Sequence, residues 1–238
     1  MLRRALSRAL PAVPCPPPAV PCPPPVPCRR CHRPCPPPDL AVPNAGWTEP
    51  MRRRYGLELR RAAAEGWARL PSYRRYRPRG AHLGHLGHLC VSPVAGDTRL
   101  FPRAIEGPGA GFEFAMFLSV RQARLRCLCQ PGPFLEGHPG LTHGGAIATI
   151  VDTSLGTLAL ALAGRVVTAN LSIDYLAPVP LLSVLLLEVS LQRREGRKLF
   201  LSCDLRDAER DTVLARATGL FIQQDPPKEP ARGGDSGR

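Results

Sequence analysis

The segment from residue 144 to residue 163 constrains the fold of this chain more than any other. Its positions are apolar nearly all round at helical spacing, so we predict one α-helix that is buried on most of its sides. A helix of this kind needs other elements to cover it. Segments with the composition of β-strands lie on both sides of it, at 112–120, 124–130, 166–175, 183–192, 198–206 and 213–223. We therefore predict an α+β fold in which an antiparallel β-sheet wraps around a central buried helix.

The flanks of this unit differ from it in composition. The first ten residues place arginines against leucines at helical spacing, and no acidic residue occurs before Asp39, which is typical of a mitochondrial transit peptide. A Cys- and Pro-rich near-repeat follows, whose prolines favour an extended, disordered chain. From Thr48 to about Trp67 the pattern predicts one amphipathic helix, with Pro50 in its first turn. We predict four parts, namely a disordered transit peptide at 1–36, a helical extension and loop at 37–104, the folded domain at 105–225 and a disordered tail at 226–238.

The positive charge lies mostly outside the folded domain. The formal net charge is +13, but residues 1–80 hold 16 arginines and four acidic residues, which leaves 16 basic and 15 acidic residues for 81–238. A protein that binds nucleic acid carries its basic surface on the folded unit, because neutralised phosphates supply most of the affinity. We therefore predict no nucleic-acid partner. The transit peptide predicts a mitochondrial location, in the matrix or associated with the inner membrane.

The cysteines and histidines do not predict a disulfide framework or a metal site. Cys127 and Cys129 alternate along one strand, where vicinal pairing is geometrically poor, and a reducing compartment fits them better. The run Cys28-Arg-Arg-Cys31-His32-Arg-Pro-Cys35 has zinc-like spacing but no second ligand pair follows it. Three histidines between residues 82 and 88 stand among glycines that oppose a stable helix. No run of about eighteen apolar residues is free of charge, so we predict no transmembrane segment.

The helix is preceded by a histidine and begins with two glycines, His143-Gly144-Gly145. Backbone N–H groups at a helix start lack partners within the helix, and the helix dipole adds positive potential there. Such donors stabilise the negative charge that develops on a carbonyl oxygen during acyl transfer. The alternative is a glycine pair that merely lets a loop pass close to a strand.

An acidic residue, Asp152, stands in the middle of this apolar helix. A carboxylate there loses hydration unless it is paired or faces a polar cleft, and such residues are often functional. Nine residues separate it from His143, which places the two on opposite faces and about 13 Å apart. They cannot meet within one helix, but two antiparallel copies across a two-fold axis would bring them together. If both belong to one site, the protein is a homodimer with two shared sites, and pairing of dimers into a tetramer stays open.

Several motifs stand in register along the domain. They are His143-Gly-Gly-Ala-Ile-Ala-Thr-Ile-Val-Asp152, Thr168-Ala-Asn-Leu-Ser-Ile-Asp-Tyr175, Pro178-Val-Pro180, Glu195-Gly-Arg-Lys198 and Ser202-Cys203. With these motifs the chain resembles the hotdog-fold thioesterase superfamily over 105–223, and in particular its mitochondrial members four and five. The resemblance is moderate over 42–75. It implies the hotdog fold for the sheet and helix described above.

The resemblance also implies an acyl-CoA thioester hydrolase of the palmitoyl-CoA hydrolase type, which converts medium- to long-chain fatty acyl-CoA to free fatty acid and coenzyme A. In that family the aspartate matching Asp152 acts as nucleophile or as general base for water. The residues matching His143, Gly144 and Gly145 position and polarise the thioester carbonyl. The threonine matching Thr168 assists the attacking group, although the residue alone reads as an ordinary strand threonine. No metal or cofactor is implied, since coenzyme A is part of the substrate.

The same resemblance places the coenzyme A end of the substrate at Asp174, Leu176, Arg197 and Lys198. Arg197 and Lys198 suit phosphate groups. Leu176 stands where the family tends to have a basic residue, and Asp174 stands where an uncharged amide is common. These two departures keep a second hypothesis open, a non-catalytic acyl-CoA-binding or regulatory protein with the same fold. A third hypothesis, an interaction protein acting through its basic Pro-rich head, requires residues 1–36 to stay in the mature chain.

Overall fold

The structure, a computed structural model, describes residues 39–72 and 100–224. In these residues the elements run α1, β1, β2, β3, α2, β4, β5, β6 and β7 along the chain. Their bounds are α1 Glu49–Glu65, β1 Ala68–Leu70, β2 Phe112–Ser119, β3 Arg124–Pro131, α2 Gly144–Ala163, β4 Val166–Tyr175, β5 Leu185–Glu195, β6 Lys198–Asp207 and β7 Val213–Gln223. The transit peptide predicted at 1–36, the tail at 226–238, the zinc-like cysteine run and the histidines between 82 and 88 lie outside the described residues.

The strands form one seven-stranded sheet in the order β1-β2-β3-β5-β6-β7-β4, and every neighbouring pair is antiparallel. Helix α2 packs on the inner face of this sheet, against β3, β4, β5, β6 and β7. The predicted α+β architecture, with a sheet around a central helix, is confirmed. Because β4 pairs only with β7 among the described strands, it forms one edge of the sheet.

Burial of α2 varies along the helix. Eight of its twenty residues are buried, and the apolar ones among them pack into the inner core. Ten more residues, among them Asp152, are half-buried, and only Gly144 and Gly145 are exposed, so α2 is covered over most of its surface and open at its first turn. By length and composition α2 could also cross a membrane, a property that core helices share.

The outer face of the sheet carries a second core beneath α1. The helix begins after Thr48, whose side chain accepts a hydrogen bond from the Met51 N–H, and Pro50 lies in its first turn as predicted. Met51 and Tyr55 pack with Phe117 of β2 in this core. Strand β2 is therefore buried along its whole length, between the inner core on one face and α1 on the other.

Three cysteines on the inner face, Cys127, Cys129 and Cys203, are free and buried. Burial raises the pKa of the Cys127 thiol to about 12 and raises the pKa of Cys129 and Cys203 as well. The thiolate is the reactive form, so these cysteines act as core residues. Cys127 and Cys129 face the same side of β3 without pairing, as predicted.

Candidate functional site

The first turn of α2 is capped by the side chain of the residue before it. His143 has extended backbone angles (φ −62°, ψ 137°), and its Nδ1 accepts the Gly145 N–H at 2.9 Å. Its carbonyl accepts the N–H groups of Ala146 and Ile147 at 2.9 and 3.1 Å. Among the described residues, nothing accepts a hydrogen bond from the Gly144 N–H. Only one of the two glycine donors predicted from the sequence is therefore free, because the imidazole occupies the other.

This capping bond also assigns the tautomer of His143. A ring nitrogen that accepts a hydrogen bond carries no proton, so the proton of the neutral imidazole is on Nε2. The side chain is exposed. His143 thus adds a second donor, Nε2–H, at the start of α2.

A tyrosine from the end of β4 completes this cluster. The Tyr175 hydroxyl donates to the Gly144 carbonyl oxygen at 3.0 Å. Its ring lies beside Gly144, with ring atoms 3.8 Å from the point where a Cβ on that glycine would stand. Tyr175 is the last residue of one of the sequence motifs, but the sequence alone predicted no function for it. We call His143, Gly144, Gly145 and Tyr175 the helix-start cluster.

An open cavity of about 670 Å³ adjoins the helix-start cluster. Its walls are the loop at 137–144, Ile147 of α2 and the segment 175–179 after β4. Predicted residues among them are His143, Gly144 and Leu176, of which Leu176 is 54% exposed. Cavities of several hundred Å³ with convergent donors are typical of small-molecule sites. His138 and Thr142 also line the cavity, although neither was predicted.

A second cluster lies two turns further along α2. The Thr168 hydroxyl donates to Asp152 Oδ1 at 3.0 Å. Thr168 lies at the start of β4, at a register shift between Thr168 and Asn170. The pair predicted by the resemblance is therefore in contact, and we call Asp152 and Thr168 the mid-helix pair. Eight helical residues separate Gly144 from Asp152, a rise of about 12 Å.

The four residues expected at the coenzyme A end do not lie together in one chain. Asp174 is exposed on β4 opposite Arg216 of β7, near the helix-start cluster. Arg197 and Lys198 lie at the turn between β5 and β6, where the Gln223 N–H donates to the Arg197 carbonyl.

That turn adjoins the other end of α2. The Gln223 side chain also donates to the carbonyl of Ala163, the last residue of the helix, at 2.7 Å. A helix of twenty residues is about 30 Å long, so this end lies far from His143. Within a single chain, Asp174 and Leu176 therefore lie near the start of α2, whereas Arg197 and Lys198 lie near its end.

Metal ligands do not gather in this part of the molecule. Within residues 39–72 and 100–224, no three His, Cys, Asp or Glu side chains form a group that could hold a metal ion.

The chain matches a family model and several proteins of known name. The model described as the thioesterase superfamily matches residues 139–214. Acyl-coenzyme A thioesterase THEM4 of Rattus norvegicus is 42% identical over 195 residues, which cover 80% of this chain and 84% of that protein. Acyl-coenzyme A thioesterase THEM5 of Homo sapiens is 35% identical over 185 residues, which cover 78% of this chain and 75% of that protein.

Solved structures match a smaller share of the chain. A hypothetical thioesterase of Streptococcus pneumoniae TIGR4 with coenzyme A is 20% identical, with a TM-score of 0.43, and the match covers 48% of this chain and 92% of that one. A thioesterase superfamily protein of Shewanella loihica PV-4 is 33% identical, with a TM-score of 0.37, and the match covers 44% of this chain and 87% of that one.

Proposed function

Because this chain belongs to the thioesterase superfamily, we propose that it is an acyl-CoA thioesterase that hydrolyses medium- to long-chain fatty acyl-CoA to free fatty acid and coenzyme A. Relatives that match most of its length are named acyl-coenzyme A thioesterases. The observation that carries the proposal is the mid-helix pair, in which the Thr168 hydroxyl holds the Asp152 carboxylate. Asp152 lies on α2, and the start of the same helix offers the free Gly144 N–H at an open cavity.

The chemistry assigned to each group follows from its position. Asp152 acts as general base or as nucleophile, and the Thr168 hydroxyl holds one carboxylate oxygen so that the other faces the reacting carbon. Negative charge develops on the thioester oxygen in the transition state. The Gly144 N–H, helped by the helix dipole and by the Nε2–H of His143, stabilises that charge.

Both routes lead to the same products. As a base, Asp152 takes a proton from water while the water oxygen bonds to the carbonyl carbon. The carbon–oxygen double bond then re-forms as the carbon–sulfur bond breaks, and the leaving coenzyme A sulfur takes the proton from Asp152, which regenerates the carboxylate. As a nucleophile, the Asp152 carboxylate bonds to that carbon and expels the thiolate, and water then hydrolyses the resulting anhydride.

We further propose that the site is shared between two copies of the chain. The helix-start cluster and the mid-helix pair are about 12 Å apart on a rigid helix. Strand β4 lies at the sheet edge, and Val167, Tyr175 and Leu176 at its two ends are about half exposed. A second β4 running antiparallel along this edge brings the Thr168 end of one strand to the Tyr175 end of the other.

The shared arrangement also accounts for the separated coenzyme A residues. It moves the Arg197 and Lys198 of one copy toward the Asp174 and Leu176 of the other. The proposed protein is therefore a homodimer with two equivalent sites. We place it in mitochondria, in the matrix or at the inner membrane, because of its arginine-rich, acid-free opening.

The test is thiol release from acyl-CoA esters of increasing chain length, from acetyl- to stearoyl-CoA. We expect turnover that rises toward the long chains, and a loss of about 100-fold or more in kcat for Asp152→Asn. The control is Asp211→Asn, the same change on an exposed turn, which should leave kcat unchanged. An Asp152→Asn protein that hydrolyses palmitoyl-CoA at the parental rate would overturn the assignment.

The second candidate is an acyl-CoA-binding protein without turnover. It is favoured by Leu176, an exposed apolar side chain at the cavity where a basic residue would attract phosphate. The same assay separates the two candidates. Measurable binding of palmitoyl-CoA by the parental chain without thiol release supports this second function.

A further inference from the structure

One peptide group at the start of α2 is held from both sides. The carbonyl oxygen of Gly144 accepts the Tyr175 hydroxyl at 3.0 Å. The other end of the same peptide group is the N–H of Gly145, which donates to His143 Nδ1 at 2.9 Å. A peptide group is planar, so bonds at both its ends fix its orientation.

The fixed peptide group directly follows the one that carries the free donor. The Gly144 N–H belongs to the peptide group between His143 and Gly144, whose carbonyl accepts two N–H groups of the first turn. Both peptide groups meet at the Cα of Gly144, a residue without a Cβ to restrict rotation. The orientation of the free N–H therefore depends on how firmly the next peptide group is held.

From its position, we expect Tyr175 to contribute little to the stability of the fold. Its side chain lies at the end of an edge strand and is 52% exposed. Hydrogen bonds in such positions compete with water and add little to folding. Hydrogen-bond geometry at a reacting centre is much more sensitive, because a displacement of about 1 Å can lower a rate 100-fold.

We propose that Tyr175 is a positioning residue that holds the start of α2 so that the Gly144 N–H meets the thioester oxygen. This inference rests on the proposed function. Strand β4 then positions both clusters, because Thr168 at its start holds Asp152 and Tyr175 at its end holds the first peptide group of the helix.

The test is Tyr175→Phe, which removes the hydroxyl and keeps the ring against Gly144. We expect kcat for palmitoyl-CoA to fall about tenfold while KM stays within twofold and Tm does not change. Tyr55→Phe is the matched control, because it removes the hydroxyl of a tyrosine in the second core under α1 and should leave kcat at the parental value.

A spectroscopic measurement detects the hydrogen bond between the Gly144 N–H and the thioester oxygen without turnover. In an Asp152→Asn background, Raman difference spectra of bound palmitoyl-CoA should show the thioester carbonyl band lowered by the Gly144 N–H. Adding Tyr175→Phe should move that band back toward its position in free substrate. A purely structural role for Tyr175 would leave the band in place.

The outcomes separate this inference from the proposed function. A parental chain without thiol release overturns the proposed function, and the Raman band still tests the contact. A parental chain that is active, with a Tyr175→Phe variant of equal kcat and an unmoved band, overturns the inference alone. A change in KM with unchanged kcat also overturns it, because it assigns Tyr175 to ground-state binding.

Discussion

The two candidate clusters of α2 offer different chemical groups. The helix-start cluster offers a backbone N–H, and two side chains, His143 and Tyr175, fix the peptide group beside it. The mid-helix pair offers a charged side chain, Asp152, held by one hydroxyl. The helix-start cluster suits the stabilisation of negative charge on a bound oxygen. The mid-helix pair offers a negatively charged carboxylate that can act as a base or a nucleophile. The helix keeps these two clusters about 12 Å apart, and in the proposed dimer each would be one half of a shared site.

The same strand contacts both clusters. Thr168 at the start of β4 reaches Asp152, and Tyr175 at its end reaches Gly144. Since β4 is an edge strand, both contacts lie where a second copy can pair with the sheet. Substitutions can therefore disrupt each cluster separately.

The largest effect is expected at the helix-start cluster from Gly144→Pro. Gly144 is the first residue of α2, where proline is favoured, and the extended angles of His143 are those that a residue before proline adopts. The substitution therefore removes one N–H and keeps the helix. We expect kcat for palmitoyl-CoA to fall about 100- to 1000-fold with an unchanged circular dichroism spectrum.

Gly144→Ala is the matched control for that change. It keeps the N–H, and its added Cβ would stand 3.8 Å from the Tyr175 ring, an ordinary contact. We expect kcat within about threefold of the parental value, since the donor is intact. Equal losses in the proline and alanine variants would show that the glycine is needed for space and not for its N–H.

A smaller effect is expected at the mid-helix pair from Thr168→Val. The change removes the hydroxyl that holds Asp152 and keeps the β-branched shape on an exposed strand position. We expect kcat to fall about 10- to 100-fold, because a hydrogen bond to a charged group contributes about 1.5–3 kcal/mol and each 1.4 kcal/mol is tenfold in rate.

Thr157→Val serves as control for the mid-helix change. Its hydroxyl donates to the Thr153 carbonyl within α2 and contacts no group of either cluster. We expect parental kcat from it. If Thr168→Val also keeps parental kcat, the contact with Asp152 is structural and the mid-helix pair reduces to the carboxylate alone.

The bounds of α2 could be predicted to the residue. The apolar run begins directly after His143 and ends before Gly164, which caps the helix, so local sequence is sufficient. Strands β4 and β7 were predicted with equal accuracy because each has strand composition between turn signals. Strand β1 was missed, since its three residues become a strand only by pairing with β2.

Contacts between distant segments account for the remaining errors. Arg126 alternates with apolar residues on β3, yet it is buried because Glu58 and Trp67, about sixty residues earlier in the chain, pair with it and stack on it. The role of Tyr175 depends on how β4 approaches α2, and the use of the Gly145 N–H depends on one rotamer of His143. None of these follows from composition or spacing.

The most direct test of the shared site is a mixed dimer of two inactive variants. Gly144→Pro and Asp152→Asn chains, coexpressed with different tags and purified through both, combine one intact donor from one chain with one intact carboxylate from the other. A shared site predicts about half the parental kcat per dimer, because one of two sites is restored. A mixed dimer as inactive as each variant alone would contradict the account.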